Sequence, residues 1–377
     1  MSDIPFQQVR DWMFKAALPF WARHGVDETY GGFLEELDFQ GHATAVDFKR
    51  VRVVCRQVYV FSHAALLGWP EGAALSARAY EFLIVKARRQ DGGFVRLLTR
   101  AGAVKDPTPD LYDIAFALYA CAWRYRLSGD ESVRKLAGET LDYVRRQMRG
   151  PLKGFWHELP PTGPRLQNPH MHLAEACLAA FEALGEDEYL DQARELVALF
   201  RSKFFDGHTL GERFDVHWKR LSGAEGARLE PGHAFEWAWI LSRYQGLTGE
   251  DESELVAALI SFGESFGVNP KTGAVYDEVS EAGAPLVASS RTWPNTERIK
   301  AHLGRFELSG EDPSKPVAAS LRLLFDTYLN VAPAGLWMDR FDAEGKAIAE
   351  AVPASIFYHL FLAFSEVLRL ESELSGV

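Results

Sequence analysis

The stretch Leu111-Tyr112-Asp113-Ile114-Ala115-Phe116-Ala117-Leu118-Tyr119-Ala120-Cys121-Ala122, running on to Gly129-Asp130, carries the pattern that decides the fold. Leu111, Ile114, Ala115, Leu118 and Ala122 recur at i, i+3, i+4 and i+7, the spacing of one buried helix face. Gly129 stops that helix, and the acidic residue behind it suits the positive start of another. The same punctuation returns at Gly185-Glu186-Asp187, Gly249-Glu250-Asp251 and Gly310-Glu311-Asp312.

A second series runs in antiphase: Gly32-Phe33, Gly93-Phe94, Gly154-Phe155, Gly211-Glu212, Gly273-Ala274 and Gly335-Leu336, spaced by 61, 61, 57, 62 and 62 residues. Each repeat is therefore two helices around a tight turn. Longer Pro/Gly-rich stretches (90–109, 150–167, 205–231, 267–291, 331–352) lead into the next pair, so tight turns gather at one end of the array and long loops at the other. The long-loop end is where a site should form.

Six pairs, twelve helices in all, account for the chain without a linker. An open solenoid would need polar capping repeats. The last helix, Ser355 to Leu370, is as apolar as any in the middle, which a closed ring explains. The expected fold is all-α, an (α/α)6 barrel of six helical hairpins in one catalytic domain, 1–377.

Composition narrows the partners. The 377 residues are 47% hydrophobic and 25% charged, enough for a large core, and 52 acidic against 41 basic residues leave a formal charge of -11. That balance argues against nucleic acid or an anionic membrane as partner and suits a small neutral ligand. The three cysteines are odd in number and far apart, as expected in a reducing compartment. With no basic region followed by an apolar stretch near the N-terminus and no long apolar run, a cytoplasmic protein is expected. A homo-oligomer is compatible with all of this.

One polar residue interrupts each apolar inner helix at nearly the same phase: Arg56, Asp113, His172, His233, Glu297 and His359, spaced by 57, 59, 61, 64 and 62 residues. Polar groups facing a barrel axis have to be satisfied by one another, by water or by a ligand. Two inner helices open alike, Asn168-Pro169-His170-Met171-His172-Leu173-Ala174-Glu175 and Glu230-Pro231-Gly232-His233-Ala234-Phe235-Glu236. His followed by Glu at i+3 puts imidazole and carboxylate on one helix face, an arrangement suited to proton transfer.

No metal is expected, because His170 and His172 at i, i+2 point apart and there is no HExxH, EF-hand or paired CxxC. Nucleotide motifs are absent too, so no cofactor is expected. Among the aromatics, Tyr59 and Trp237 read as core, whereas Trp293, beside Pro294 and Glu297, suits stacking on a sugar ring. For a sugar phosphate there is no obvious basic cluster; Arg96, Arg291 and Arg340, in the long loops, are the residues that could supply one.

Over nearly its whole length the chain resembles the N-acylglucosamine 2-epimerase superfamily, which includes mannose isomerases and cellobiose 2-epimerases. The resemblance rests on Tyr30 to Phe33, Arg56 to Ser62, Asn168 to Ala176, Pro231 to Trp237, Trp293 to Glu297 and Ala354 to Leu360, in that order. It implies an (α/α)6 barrel and an active site with Arg56, His172, His233, Glu236 and His359. Tyr112, Asp113, Asn168, Glu175, Trp293 and Glu297 are the expected substrate-binding residues. The Trp293–Glu297 and Tyr358-His359-Leu360 forms look most like the mannose isomerase branch.

The chemistry so implied is proton transfer next to a sugar carbonyl through a cis-enediol, interconverting D-mannose, or a close relative, and D-fructose. His359 would be the base, His233 with Glu236 the ring-opening pair, His172 a hydroxyl-positioning donor and Arg56 the holder of the oxyanion. A sugar 2-epimerase using His233 and His359 as two bases is the alternative. An (α/α)6 glycoside hydrolase using Asp113, Glu236 or Glu297 is the reading from another class, and a non-catalytic sugar-binding relative is a third.

Overall fold

The computed structural model describes residues 3–375. Among the described residues twelve long helices form two concentric rings, as the repeats predict. The inner ring is α2 (Val51–Leu66), α4 (Leu111–Ser128), α6 (Asn168–Leu184), α8 (Pro231–Thr248), α10 (Thr292–Ser309) and α12 (Phe357–Arg369). Each packs on the next and the last packs on the first, so the ring closes and the open solenoid is excluded. The outer ring is α3 (Gly72–Phe82), α5 (Glu131–Gln147), α7 (Asp187–Leu199), α9 (Ser253–Phe262), α11 (Ser314–Leu323) and α1 (Phe6–Asp11, continued through Trp12–Ala17 and Leu18–His24).

Four inner helices end on a left-handed residue, Gly129, Gly185, Gly249 and Gly310, with φ of 64°, 72°, 72° and 71°. A side chain at these positions would crowd its own backbone, so glycine turns the chain back at little cost. The antiphase series sits just beyond the outer helices, where Phe33, Phe94, Phe155, Leu210 and Val275 make short bridges back to the preceding helix ends and, like Leu336, are buried.

Two features depart from the sequence reading. The sixth pair has no connecting turn: α12 packs on α1, the two ends of the chain, and Trp21 seals the closure by donating from Nε1 to the Gly335 carbonyl (3.1 Å) and stacking on Trp337 (4.9 Å). The long connections are also not plain loops. Strands pair from each to the next around the mouth: Phe48–Arg50 with Leu97–Thr99, Arg165–Leu166 with Arg213–Phe214, Arg228–Leu229 with Glu278–Ser280, and Ser290–Arg291 with Arg340–Phe341. A bridge between Asp110 and Glu158 and the pairing of Glu36–Leu37 with Val352–Pro353 complete the circle. This rim holds the inner-helix N-termini around one opening. Among the described residues no helix is long and apolar enough to cross a membrane, and Cys55, Cys121 and Cys177 are buried free thiols.

Candidate active site

A cavity of about 420 Å³, a size common for small-molecule sites, opens inside the rim. Arg56, His172, His233, Glu236 and His359 all line it, with Tyr112, Asn168 and Trp293. Each comes from the first turns of an inner helix, where the apolar repeat gives way to polar residues.

Arg56 lies in the floor of the cavity with no carboxylate partner among the described residues. It donates to the Ser355 carbonyl (3.1 Å) and the Tyr112 hydroxyl (2.9 Å), and stands over the rings of Phe116 and Tyr358 at 4.4 and 4.9 Å. A guanidinium held by neutral groups keeps its charge uncompensated for a ligand.

His359 Nδ1 is 2.8 Å from Glu297 Oε1, and the other oxygen of Glu297 pairs with Lys300 Nζ at 2.6 Å. Lys300 is fully buried and stands 4.2 Å over the Trp239 ring. Burial raises the Glu297 pKa above its ordinary value, and the Lys300 ammonium opposes that rise. An ionised Glu297 only accepts, so the proton sits on Nδ1 and Nε2 is left as a free base. Burial, with Arg56 and Lys300 nearby, holds the His359 pKa well below the ordinary 6.5.

His172 Nδ1 donates to Glu175 Oε2 (3.1 Å), whose other oxygen takes the Tyr358 hydroxyl. Burial lowers His172 to about 4. Glu236 Oε1 is 3.8 Å from the same nitrogen and has no hydrogen-bond partner. Burial and the facing Glu297 push the Glu236 pKa far up, favouring the neutral carboxylic acid at the cavity wall.

His233 differs from the other two histidines. Its Nδ1 meets both oxygens of Glu212 at 3.1 and 3.0 Å, and Nε2 lies 4.0 Å from Glu230. Burial works against its charged form, but Glu212 and Glu230 outweigh it and raise the pKa to about 10. Trp293 lies between the two histidine rings, 5.3 Å from His233 and 5.6 Å from His359.

Several expectations need correction. The carboxylate of His233 is Glu212, from the rim, and not Glu236, which turns toward His172. Asp113 does not face the axis: it is fully buried behind α2, accepting from the Arg52 backbone N–H at 2.7 Å. Glu175 and Glu297 are in the wall behind their histidines and not in the lining. His170 is structural, with Nδ1 donating to the Leu166 carbonyl and Nε2 accepting from Phe155 N–H. Sequence reasoning passed over Glu212 and Lys300. Glu212 had a signal, being the acidic residue in a glycine-marker series that is otherwise apolar; Lys300 had one too, lying at i+3 from Glu297 on an inner helix.

Three groupings bring histidine and carboxylate ligand atoms within 4.8 Å of one another: His172/Glu175/Glu236, Glu212/Glu230/His233 and Glu236/Glu297/His359. In the third, the ammonium of Lys300 already occupies Glu297 and would repel a cation. In the first and second, the histidine nitrogen nearest the carboxylates is already bonded to one of them.

A closed (α/α)6 barrel whose mouth carries three histidines, an arginine without a carboxylate partner among the described residues and a tryptophan fits the class of enzymes that move protons on small polar molecules. Comparison with known proteins gives the family: the N-acylglucosamine 2-epimerase model matches residues 31–363, and the chain belongs to that family. It is 35% identical over 380 residues to a mannose-6-phosphate isomerase of Rhizobium meliloti (strain 1021), covering 97% of each chain. Among solved structures, a D-mannose isomerase superposes with a TM-score of 0.89 (20% identity; 97% and 98% of the chains). The cellobiose 2-epimerase of Spirochaeta thermophila DSM 6192 does so at 0.86 (23%; 98% and 97%). The chain is an enzyme of the sugar isomerase and epimerase kind, with a small sugar as substrate.

Proposed function

We propose that the enzyme is an aldose-ketose isomerase interconverting D-mannose, or a close relative, and D-fructose through a cis-enediol. The observation that carries this reading is the pair of unlike histidines at one cavity, His359 neutral with Nε2 free and His233 held protonated by Glu212. His233 gives its proton to the ring oxygen as the bond from C1 to that oxygen breaks, and takes one back from the anomeric hydroxyl, so that the open-chain aldehyde results. His359 Nε2 takes the proton from C2 and returns it to C1 while the hydroxyl proton on O2 passes to O1 across the cis-enediol, and Arg56 holds the oxyanion that develops on the carbonyl oxygen. His172 and the neutral Glu236 donate to hydroxyls. The names of the Rhizobium relative and of the D-mannose isomerase support mannose as the sugar skeleton.

A 2-epimerase is the second reading, favoured by His233 and His359 flanking Trp293 from two sides, as protonation of an enediol on its other face requires. The glycoside hydrolase reading loses support: Asp113 is turned away from the cavity, and Glu297 is tied to Lys300 and His359. Incubation with D-mannose in deuterated water, followed by NMR, separates the readings. Fructose labelled at C1 is the expected product. Glucose as the first product overturns the isomerase in favour of the epimerase, and no conversion of mannose overturns both.

A further inference from the structure

The mouth of the cavity presents charge that proton transfer at C1 and C2 does not use. Arg50, ending the strand Phe48–Arg50, and Arg52, on the first turn of α2, both line it. Each is anchored at one edge by a buried carboxylate that does not line the cavity. Glu35 takes the Arg50 Nε and its backbone N–H, while Asp113 takes the Arg52 backbone N–H and reaches Nη1 only at 3.5 Å. Both Nη groups of Arg50, and Nε and Nη2 of Arg52, have no acceptor among the described residues, and the two side chains remain 33% and 24% exposed. The Tyr112 ring under Arg52 at 5.0 Å limits its swing.

The loop arginines that the sequence offers for a phosphate are otherwise engaged. Arg96 is held by Asp106, Asp110 and Glu158, Arg291 by Asp277 and Glu230, and Arg340 by Asp277 and Ser289. Arg52 precedes Arg56 by four residues on the same face of α2, so its Cα lies about 6 Å nearer the mouth. That offset is of the order of the span from the reacting carbons of an open-chain hexose to the substituent on its last carbon. Two guanidinium groups with free N–H groups at one cavity repel each other, and a neutral hydroxyl leaves both charges uncompensated; a dianionic phosphate accepts from both and neutralises them.

Resting on the isomerase reading above, we propose that Arg50 and Arg52 form a phosphate subsite, so that the preferred substrate is a hexose 6-phosphate. The test compares kcat/KM for mannose 6-phosphate and mannose in the parent, Arg50→Gln and Arg52→Gln, alongside calorimetric titration of each protein with inorganic phosphate. The parent should favour the phosphorylated sugar by at least about 10-fold. Either substitution should reduce that ratio about 10-fold and weaken phosphate binding. A parent that handles both sugars equally, or variants in which both kcat/KM values fall together, overturns the subsite and leaves the isomerase standing. If neither sugar reacts, the isomerase reading fails and the titration still decides: phosphate binding no tighter to the parent than to the variants rejects the subsite. Should a Gln variant fail to fold, the parent's substrate ratio and the competition of inorganic phosphate against mannose decide instead: a ratio near one, with no competition, rejects the subsite.

Discussion

At the residue scale, the site works by giving chemically identical side chains different protonation. His359 is bare at Nε2 because Glu297 claims Nδ1 and Lys300 claims Glu297. Replacing His359 by Asn keeps a polar side chain but removes the base, so C2 proton exchange should fall by at least about 10²-fold. Exchange near the parent rate would show His359 to be structural. Glu212 is a positioning residue acting through His233. In Glu212→Gln the His233 pKa should drop from about 10 toward its ordinary value, so the alkaline limb of the kcat/KM profile should move to lower pH; an unmoved limb would mean that His233 does not supply that proton. Stability follows the same sign: the folded pKa of His233 lies above its unfolded value of about 6.5, so its contribution is full below about pH 6.5 and is lost as pH rises through about 10. Because Lys300 occupies Glu297 and the histidine nitrogens facing the other carboxylates are already bonded to them, turnover should survive exhaustive chelation, and activity restored to a chelated enzyme by one divalent ion would refute that.

At the element scale, each inner helix must deliver its first turn to the mouth while packing on two neighbours, and α8 meets α10 without space to spare. A Cβ on Gly232 would lie 2.5 Å from Trp293 Cη2 and 2.7 Å from Cζ3. Gly232→Ala should therefore push the tryptophan off its place between the two histidines, raising KM several-fold and costing about 1–3 kcal/mol of stability, as overpacking does. Parent KM and parent stability together would show that the Trp293 ring has room to move. The π-type turns in Leu83–Ala87, Phe200–Phe204, Gly263–Gly267 and Leu324–Tyr328 fall at the same place in their outer helices, just before the chain enters the rim.

At the scale of the whole molecule, closure is achieved by the ends of the chain and by the rim. Trp21 carries much of the first, being fully buried, stacked on Trp337 and bonded to Gly335. Trp21→Ala should cost about 3–5 kcal/mol, read as a lower melting temperature. A change of less than about 2 °C would show that the α1–α12 seam contributes little. Because the cavity lies inside the closed ring, loosening that seam should also lower activity, although Trp21 does not touch the site.

The sequence by itself determined the ring and where its mouth would form. Helix periodicity, glycine stops and the antiphase markers act within a few residues, and their regular return at about 61 residues leaves little but six hairpins. It also placed a polar residue near the mouth end of every inner helix, because an apolar pattern makes its interruptions visible. Only the tertiary structure decided which charges meet. Glu236 stands three residues after His233 on the same helix, yet the partner of His233 is Glu212 from the rim. A three-residue step turns the side chain by about 60° around the helix axis, and at the packed seam that is enough to aim Glu236 at His172. Asp113 shares the phase of the other five and still faces Arg52, and Lys300 reads as a surface lysine until α8 and α10 close over it. The pairings of His233 with Glu212 and of Asp113 with Arg52 join residues from different elements, and they depend on side-chain direction at the seams between helices, which no local spacing encodes.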